Sequence, residues 1–188
     1  MNGTSTGSEA AALIRRLDWA QSPLGEASEW PQSLRTAVDI VVHSPMPMVL
    51  LWGPHLIQLY NDGFAHLIGG KHPGALGQPA HHTWPELESF AAPVYDAVLG
   101  GQVRTFSEQR FVLQREGRDT EIWLDLTYSP VRDESCRVAG ILVTAIETNE
   151  RRSKTLELQQ RSEASLKAQH NTEQRLQLAL APAQCIGR

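Results

Sequence analysis

Four apolar side chains, Ile122, Leu124, Leu126 and Tyr128, fall on every second residue of this chain. That is the period of a strand with one buried face. Val138 to Ile146 reads as its partner and the polar cluster Arg132 to Arg137 as the reversal between them, so an antiparallel hairpin is expected. A long polar helical segment follows from about Glu150. Upstream, Leu34, Ala37, Val38, Val41 and Val42 occupy one helical face. Pro31 opens that helix, where a missing N–H is harmless. Ser44-Pro45-Met46-Pro47 ends it, because a residue before proline is pushed out of the α region.

The middle of the chain follows the same logic. Met48 to Trp52 and His55 to Tyr60 read as a hairpin around Gly53-Pro54, and Asn61-Asp62 caps a short helix with Phe64, Leu67 and Ile68, stopped by Gly69-Gly70. Lys71 to Glu86, with many Gly, Pro and His residues, predicts short helical turns and loops. Pro85 to Leu99 is helical, with Leu87, Phe90, Val94 and Val98 as its stripe and a break expected near Ala91 or Ala92, so that Pro93 opens the main helix. Thr105 to Arg115 alternates, Glu116 to Asp119 turns, and the final hairpin completes a five-stranded antiparallel sheet. The fold class is therefore α+β, with short helices on one face of the sheet, an N-terminal helix on or near the outer face and a long C-terminal helix.

These patterns divide the chain into five parts. Residues 1–16, Gly-, Ser- and Thr-rich at the start, are expected as a disordered leader and residues 17–45 as a lead-in with a helix. Residues 46–149 form the domain, 150–181 a helix, and 182–188 the truncated start of a following domain. An unbroken helix from Glu150 to Leu180 is about 45 Å long at 1.5 Å per residue. Its best seam, Leu156, Gln159, Glu163, Leu166, His170, Glu173, Gln177 and Leu180, is largely polar and predicts a weak coiled coil.

The run from Trp123 to Arg132, followed by Asp133-Glu134 and a β-rich stretch ending Glu147-Thr148-Asn149-Glu150-Arg151, resembles the last two strands of a PAS domain. The resemblance covers about Trp19 to Arg151, and Tyr60-Asn61-Asp62 sits where that family turns into its first small helix. Glu147 and Asn149 occupy the places of the family's closing Asp-x-Thr motif and, with Arg151, are the expected signal-relay residues. Leu17-Asp18-Trp19, Ser22-Pro23-Leu24-Gly25 and Trp30-Pro31 are similar to the segment preceding the first PAS domain of many bacterial sensor histidine kinases.

What the resemblance implies is a ligand cavity between sheet and helices, with Tyr60, Trp84, Leu124, Leu126, Tyr128 and Ala145 as lining candidates. Their bulk points to a small pocket. Trp123 falls on the opposite sheet face, where the Pro31 to Val42 helix, or the same helix of a partner subunit, is expected to cover it. Trp123, Val38, Val41, Leu156 and Leu166 are thus the outer-face and dimer candidates. Relatives place Gly in the final hairpin turn where this chain has Cys136, so a left-handed residue is expected there.

Cofactor chemistry finds little purchase. Flavin-binding photosensory relatives use a reactive Cys, absent from Gly77 to Trp84, and polar late-strand side chains where Leu124 and Ala145 stand here. A haem ligand on the long helix is missing from Pro93 to Leu99, which leaves His81 and His82 as the weak haem-ligand candidates. Adjacent histidines point apart and do not chelate together. The sequence leaves the cofactor unknown, with none as the leading expectation, a flavin photoadduct disfavoured and haem through His81 or His82 the remaining option; no metal site is expected.

Composition narrows the remaining classes. The 188 residues are 41% hydrophobic and 20% charged with a net charge of −4, as in a soluble globular protein. No apolar run reaches the roughly 20 residues of a membrane span, and the absence of a basic stripe argues against nucleic acid. Cys136 and Cys185 form neither a metal spacing nor a disulfide framework. No phosphate loop or Gly-x-Ser-x-Gly elbow suggests an enzyme. The sequence reading is a cytoplasmic, non-enzymatic sensory and dimerisation module that acts as a homodimer on a downstream output domain, a histidine kinase or another. The alternatives are an assembly module without ligand and a haem-based gas or redox sensor.

Overall fold

The structure, a computed structural model, describes residues 8–115 and 117–180; for residues 114, 115 and 173–180 the backbone alone is described. The expected disorder of residues 1–7, the expected following domain at 182–188, Cys185 and turn residue Glu116 lie outside the described residues. So do the side chains of Glu173, Gln177 and Leu180 of the expected seam.

Residues 9–16, expected to be disordered, form helix α1 (Glu9–Arg16). The Ser8 side chain accepts the Ala11 N–H at 3.1 Å, Glu9 opens the first turn, and Arg15 and Arg16 close the last one, the order the helix dipole favours. Ala10 and Ile14 are buried, and the Ala10 N–H donates to Asp62 Oδ1 at 2.7 Å. Two turns of helix offer too short an apolar stripe to show in the sequence. Two 3₁₀ turns, Trp19–Gln21 and Ala27–Glu29, lead to α2 (Gln32–His43). The indoles of Trp19 and Trp30 meet edge to face at 5.0 Å between centroids. Their N–H groups donate to the carbonyls of Ile14 and Gly25.

Strands β1 (Met48–Trp52) and β2 (Ile57–Tyr60) form the first hairpin, and α3 (Asp62–Ile68) follows directly. Asn61 holds this junction: its Oδ1 accepts the N–H groups of Met48 and Phe64, and its Nδ2 donates to the carbonyls of Ser44 and Met46. After α4 (Ala80–Thr83) and a 3₁₀ turn at Pro85–Leu87 comes α5 (Glu88–Leu99). The expected break at Ala91 or Ala92 does not occur, and Pro93 lies inside α5. A proline there forfeits the N–H bond to the Ser89 carbonyl and crowds that carbonyl, a cost set against the burial of Ala91, Val94 and Val98 on one helix face.

The last three strands are β3 (Arg104–Arg115), β4 (Arg118–Arg132) and β5 (Val138–Glu147). All five strands join one antiparallel sheet in the order β2-β1-β5-β4-β3. The β3–β4 register shifts between Phe106 and Gln109, where Glu108 takes a φ of +49° and its N–H donates to Asp125 Oδ1. A final helix, α6, runs from Asn149 to Leu180. The chain divides into two compact units, with the boundary between Thr148 and Asn149.

Helix α2 does not lie over Trp123. It packs on β1 and β2, where Leu34 shares a hollow with Trp52 and Ile57. Trp52 and Ile57 are buried apolar residues on this face, whereas the same face of β4 offers Asp125 and Thr127 beside Trp123. The apolar stripe of α2 therefore goes to the more apolar half of the sheet. Val38 (9% exposed) and Val41 (0%) are consumed by the chain's own core, so they are not available as a dimer surface. Trp123 is half-buried, and its indole N–H donates to Glu121 Oε1 at 3.1 Å.

Candidate functional site

The inner face of the sheet, together with α3, α5 and the segment around Trp84, encloses a cavity of about 70 Å³. Alternation delivers the lining. Leu124, Leu126 and Tyr128 point inward from β4, Val143 and Ala145 from β5, and Val49 and Leu51 from β1. Of the six lining candidates, Trp84, Leu124, Leu126, Tyr128 and Ala145 meet here. Tyr60 does not line the cavity. It is fully buried beside Phe64, and its hydroxyl bonds His72 Nδ1 at 3.0 Å. His72 Nε2 is a buried nitrogen without a hydrogen bond and lies 3.8 Å from Glu9 Oε1.

One lining residue escapes a sequence reading, Gln58 on β2, which is 1% exposed. Its Nε2 donates to Thr83 Oγ1 at 2.7 Å and lies 3.3 Å from each of the carbonyl oxygens of Ala75 and Gln78. Its Oε1 accepts the Trp84 indole N–H at 2.9 Å. This amide adds to the backbone bonds that join Gly77, Gln78 and Ala80 to Leu56 and Gln58, and so ties the flank from Ala75 to Trp84 to the sheet. Lys71 clamps the same flank from outside, with Nζ 4.3 Å from the Trp84 ring centroid and 2.6 Å from both the Thr83 carbonyl and Glu86 Oε1. The sequence signal was a polar residue at an inward position of a strand otherwise made of Ile57, Leu59 and Tyr60.

Two phenols complete the lining. Burial pushes the Tyr95 hydroxyl up to about 12, and the Glu88 carboxylate adds to the effect. Burial, with Tyr95 as a second cause, raises Tyr128 as well. The rings stand edge to face with centroids 6.2 Å apart. Both phenols are neutral hydrogen-bond donors at ordinary pH.

His81 and His82 do not face the cavity. On α4 it is Ala80 that is buried, while the two imidazoles are exposed and, contrary to the expectation that adjacent side chains point apart, meet edge to face with centroids 4.2 Å apart. Among the described residues no histidine lines the cavity, so neither offers an axial ligand to a haem bound there. This corrects their nomination as haem-ligand candidates.

At the exit of the sheet, Glu147 ends β5 and is exposed, Asn149 opens α6, and Arg151 lies in its first turn. Between Glu147 and Asn149 stands Thr148, which is 2% exposed, and both its backbone N–H (2.8 Å) and its hydroxyl (3.2 Å) donate to the Trp123 carbonyl. Nothing in the sequence marks this residue, which looks like the variable centre of a three-residue motif. Along α6, Leu156 and Leu166 are exposed, as is Leu158.

The chain also bears likeness to known proteins. Its residues 43–153 match the sequence family described as the PAS fold. No curated protein matches it. Among solved structures it is similar to an RNA-binding light-oxygen-voltage receptor, at 19% identity and a TM-score of 0.50 over 78% of this chain and 41% of the receptor. It is also similar to a LOV protein of Rhodobacter sphaeroides (16%, TM-score 0.49, 62% of this chain and 66% of that one). A third is a sensory box sensor histidine kinase from Vibrio cholerae (13%, TM-score 0.42, 61% and 85%). The chain thus spans less than two thirds of the length of the first two. Among the described residues no helix is long and apolar enough to cross a membrane. The family match extends over more than half of the sequence and coincides with the five-stranded sheet and its cavity: the chain belongs to the PAS fold family.

Proposed function

We propose that this chain is a cytoplasmic, non-enzymatic PAS sensory and dimerisation module that passes the state of its cavity through α6 to an output domain, a histidine kinase domain or another. The observation that carries the reading is covalent. Val143 and Ala145 line the cavity on β5, the strand ends at Glu147, and Thr148 is the only residue between it and α6. A change in cavity packing displaces the strand that leads into the helix. The two hydrogen bonds from Thr148 to the Trp123 carbonyl set where that displacement leaves the sheet. Exposed Leu156, Leu158 and Leu166 give α6 apolar surface for a second copy, and a sparsely apolar seam suits a contact that small input energies can bias.

Light scattering at tens of micromolar, on the intact chain and on a version ending at Asn149, tests the dimerisation half. The intact chain is expected as a dimer and the shortened one as a monomer. Two monomers would remove dimerisation from the reading.

The small size of the cavity, about 70 Å³ between large side chains, favours a second reading in which the module only assembles and binds nothing. Native mass spectrometry with an absorption spectrum of the freshly purified protein separates the two. A discrete added mass or a visible absorption band supports the sensor, and neither supports the assembly module.

A further inference from the structure

The cavity wall is apolar and uncharged, and aromatic rings stand among its aliphatic side chains. Phe64, Trp84, Phe90, Tyr95, Phe111 and Tyr128 all contribute to it, with Phe90 edge-on to Phe111 at 5.1 Å between centroids. Among the described residues no charged side chain lines it. A carboxylate or ammonium group inside would lose its hydration with no opposite charge to offset the loss. Glu88, close enough to raise the Tyr95 hydroxyl, makes an anion less welcome still.

The polar groups in the wall divide into used and available. The Gln58 amide is used: its nitrogen serves Thr83, Ala75 and Gln78 and its oxygen holds Trp84. The hydroxyls of Tyr95 and Tyr128 make no hydrogen bond among the described residues, and neither is sealed from solvent. Both are protonated at ordinary pH and can donate. Size sets the remaining limit. At about 70 Å³ the cavity is smaller than the roughly 150 Å³ apolar cavity that admits benzene, so one ring is the most it takes, with half-buried Phe90 and Tyr95 on α5 giving way.

We propose that this cavity binds a small uncharged aromatic or heteroaromatic molecule of one ring, bearing a hydrogen-bond acceptor that the Tyr95 and Tyr128 hydroxyls recognise. The proposal rests on the reading of the chain as a cavity-based sensor. It names a ligand class that excludes carboxylates, amines and fused-ring cofactors.

The test is methyl NMR of the full chain at neutral pH, titrated with pyridine, phenol, toluene, benzoate and benzylamine. Pyridine and phenol are expected to shift the methyls of Leu124, Leu126 and Val143 saturably, toluene more weakly, and the two charged rings not at all. Tyr95→Phe and Tyr128→Phe should each weaken pyridine about 2- to 10-fold, the worth of one hydrogen bond, and leave toluene unchanged. The proposal is overturned if a charged ring shifts these methyls as strongly as pyridine, if both Phe variants bind pyridine like the parent, or if no probe shifts them. Should no probe bind while native mass spectrometry of the purified chain finds a retained ligand of another class, the ligand class falls and the sensor reading stands. If both experiments are blank, the sensor reading falls with it.

Discussion

The Trp84 indole N–H donates to Gln58 Oε1 at 2.9 Å, so a side-chain amide on β2 fixes one wall of the cavity. Gln58→Leu removes that acceptor together with the donor shared by Thr83, Ala75 and Gln78. The Ala75 and Gln78 carbonyls keep the backbone N–H groups of Gln78 and Gln58 as donors, so the main loss is a buried indole N–H without an acceptor, which should lower unfolding stability by about 1–3 kcal/mol. Urea denaturation gives the magnitude. Hydrogen exchange gives the location, with protection lost first between Ala75 and Trp84. Unchanged protection there would mean that the flank is held by other contacts.

A second long-range tie joins the β4–β5 turn to the lead-in. Ser33, near the start of α2, donates its N–H to Glu134 Oε1 at 2.7 Å and its hydroxyl to Oε2 at 3.0 Å. The Ser33 N–H is the main cause that holds the Glu134 carboxyl below its ordinary value of 4.5. A carboxyl lowered by folding contributes stability that is full above the unfolded value and is lost as pH falls through the folded one. The prediction is that Glu134→Gln melts below the parent at pH 7, and that the gap closes as pH drops below 4.5. A gap that persists unchanged at pH 2 would assign the effect to something other than this charge.

The same turn carries a strained residue. Cys136 has a φ of +64°, its N–H bonds the Asp133 carbonyl and its carbonyl accepts from Arg132 Nη1. Glycine makes the same backbone bonds without the steric penalty, at some entropic cost in the unfolded chain. Cys136→Gly should therefore raise stability by about 0.5–1 kcal/mol, seen as a higher melting temperature. An unchanged or lower value would mean that the turn has another shape in solution.

Gly140 is required for a different reason. It faces Trp52 across the β1–β5 ladder, and a Cβ there would stand 2.5 Å from the Trp52 ring and 2.8 Å from the Leu51 carbonyl oxygen. Gly140→Ala should destabilise the fold by about 1–3 kcal/mol, measured by urea denaturation. A neutral effect would show that Trp52 moves freely.

Alkaline pH probes the buried phenols. Tyr60, Tyr95 and Tyr128 are all raised above the ordinary value of 10.0, first by burial. Stability they contribute is full below pH 10 and is lost as pH rises, through about 12 for Tyr95. Tyr95→Phe should flatten the decline in melting temperature above pH 10, and an unaltered slope would mean that Tyr95 titrates as if exposed.

Sequence periodicity makes the sheet legible because a strand repeats every two residues over many positions. Alternation alone aims Leu124, Leu126 and Tyr128 at one face, and the resemblance to PAS domains makes that face the cavity side, with Ala145 joining them on the next strand. Relations set by distant partners are not legible in the same way. Gln58 looks like a stray polar residue until Thr83 and Trp84 fold back on it. The position of α2 depends on the outer faces of Trp52 and Ile57 outcompeting that of Trp123, a comparison that requires the strand order. Helix α1 is only two turns long and is completed by a hydrogen bond from Ala10 to Asp62. Pro93 reads as a helix break because the local penalty is visible in the sequence, while the compensating burial of Val94 and Val98 is not.

The most direct test of the account is hydrogen exchange across residues 149–172 of the intact chain, with and without saturating pyridine, in a sample whose cavity methyls confirm binding. The account predicts that protection in the first turns of α6, behind Thr148, changes when the cavity fills. Full occupancy with no change anywhere along α6 would contradict the relay and leave a binding domain whose helix does not report on its ligand.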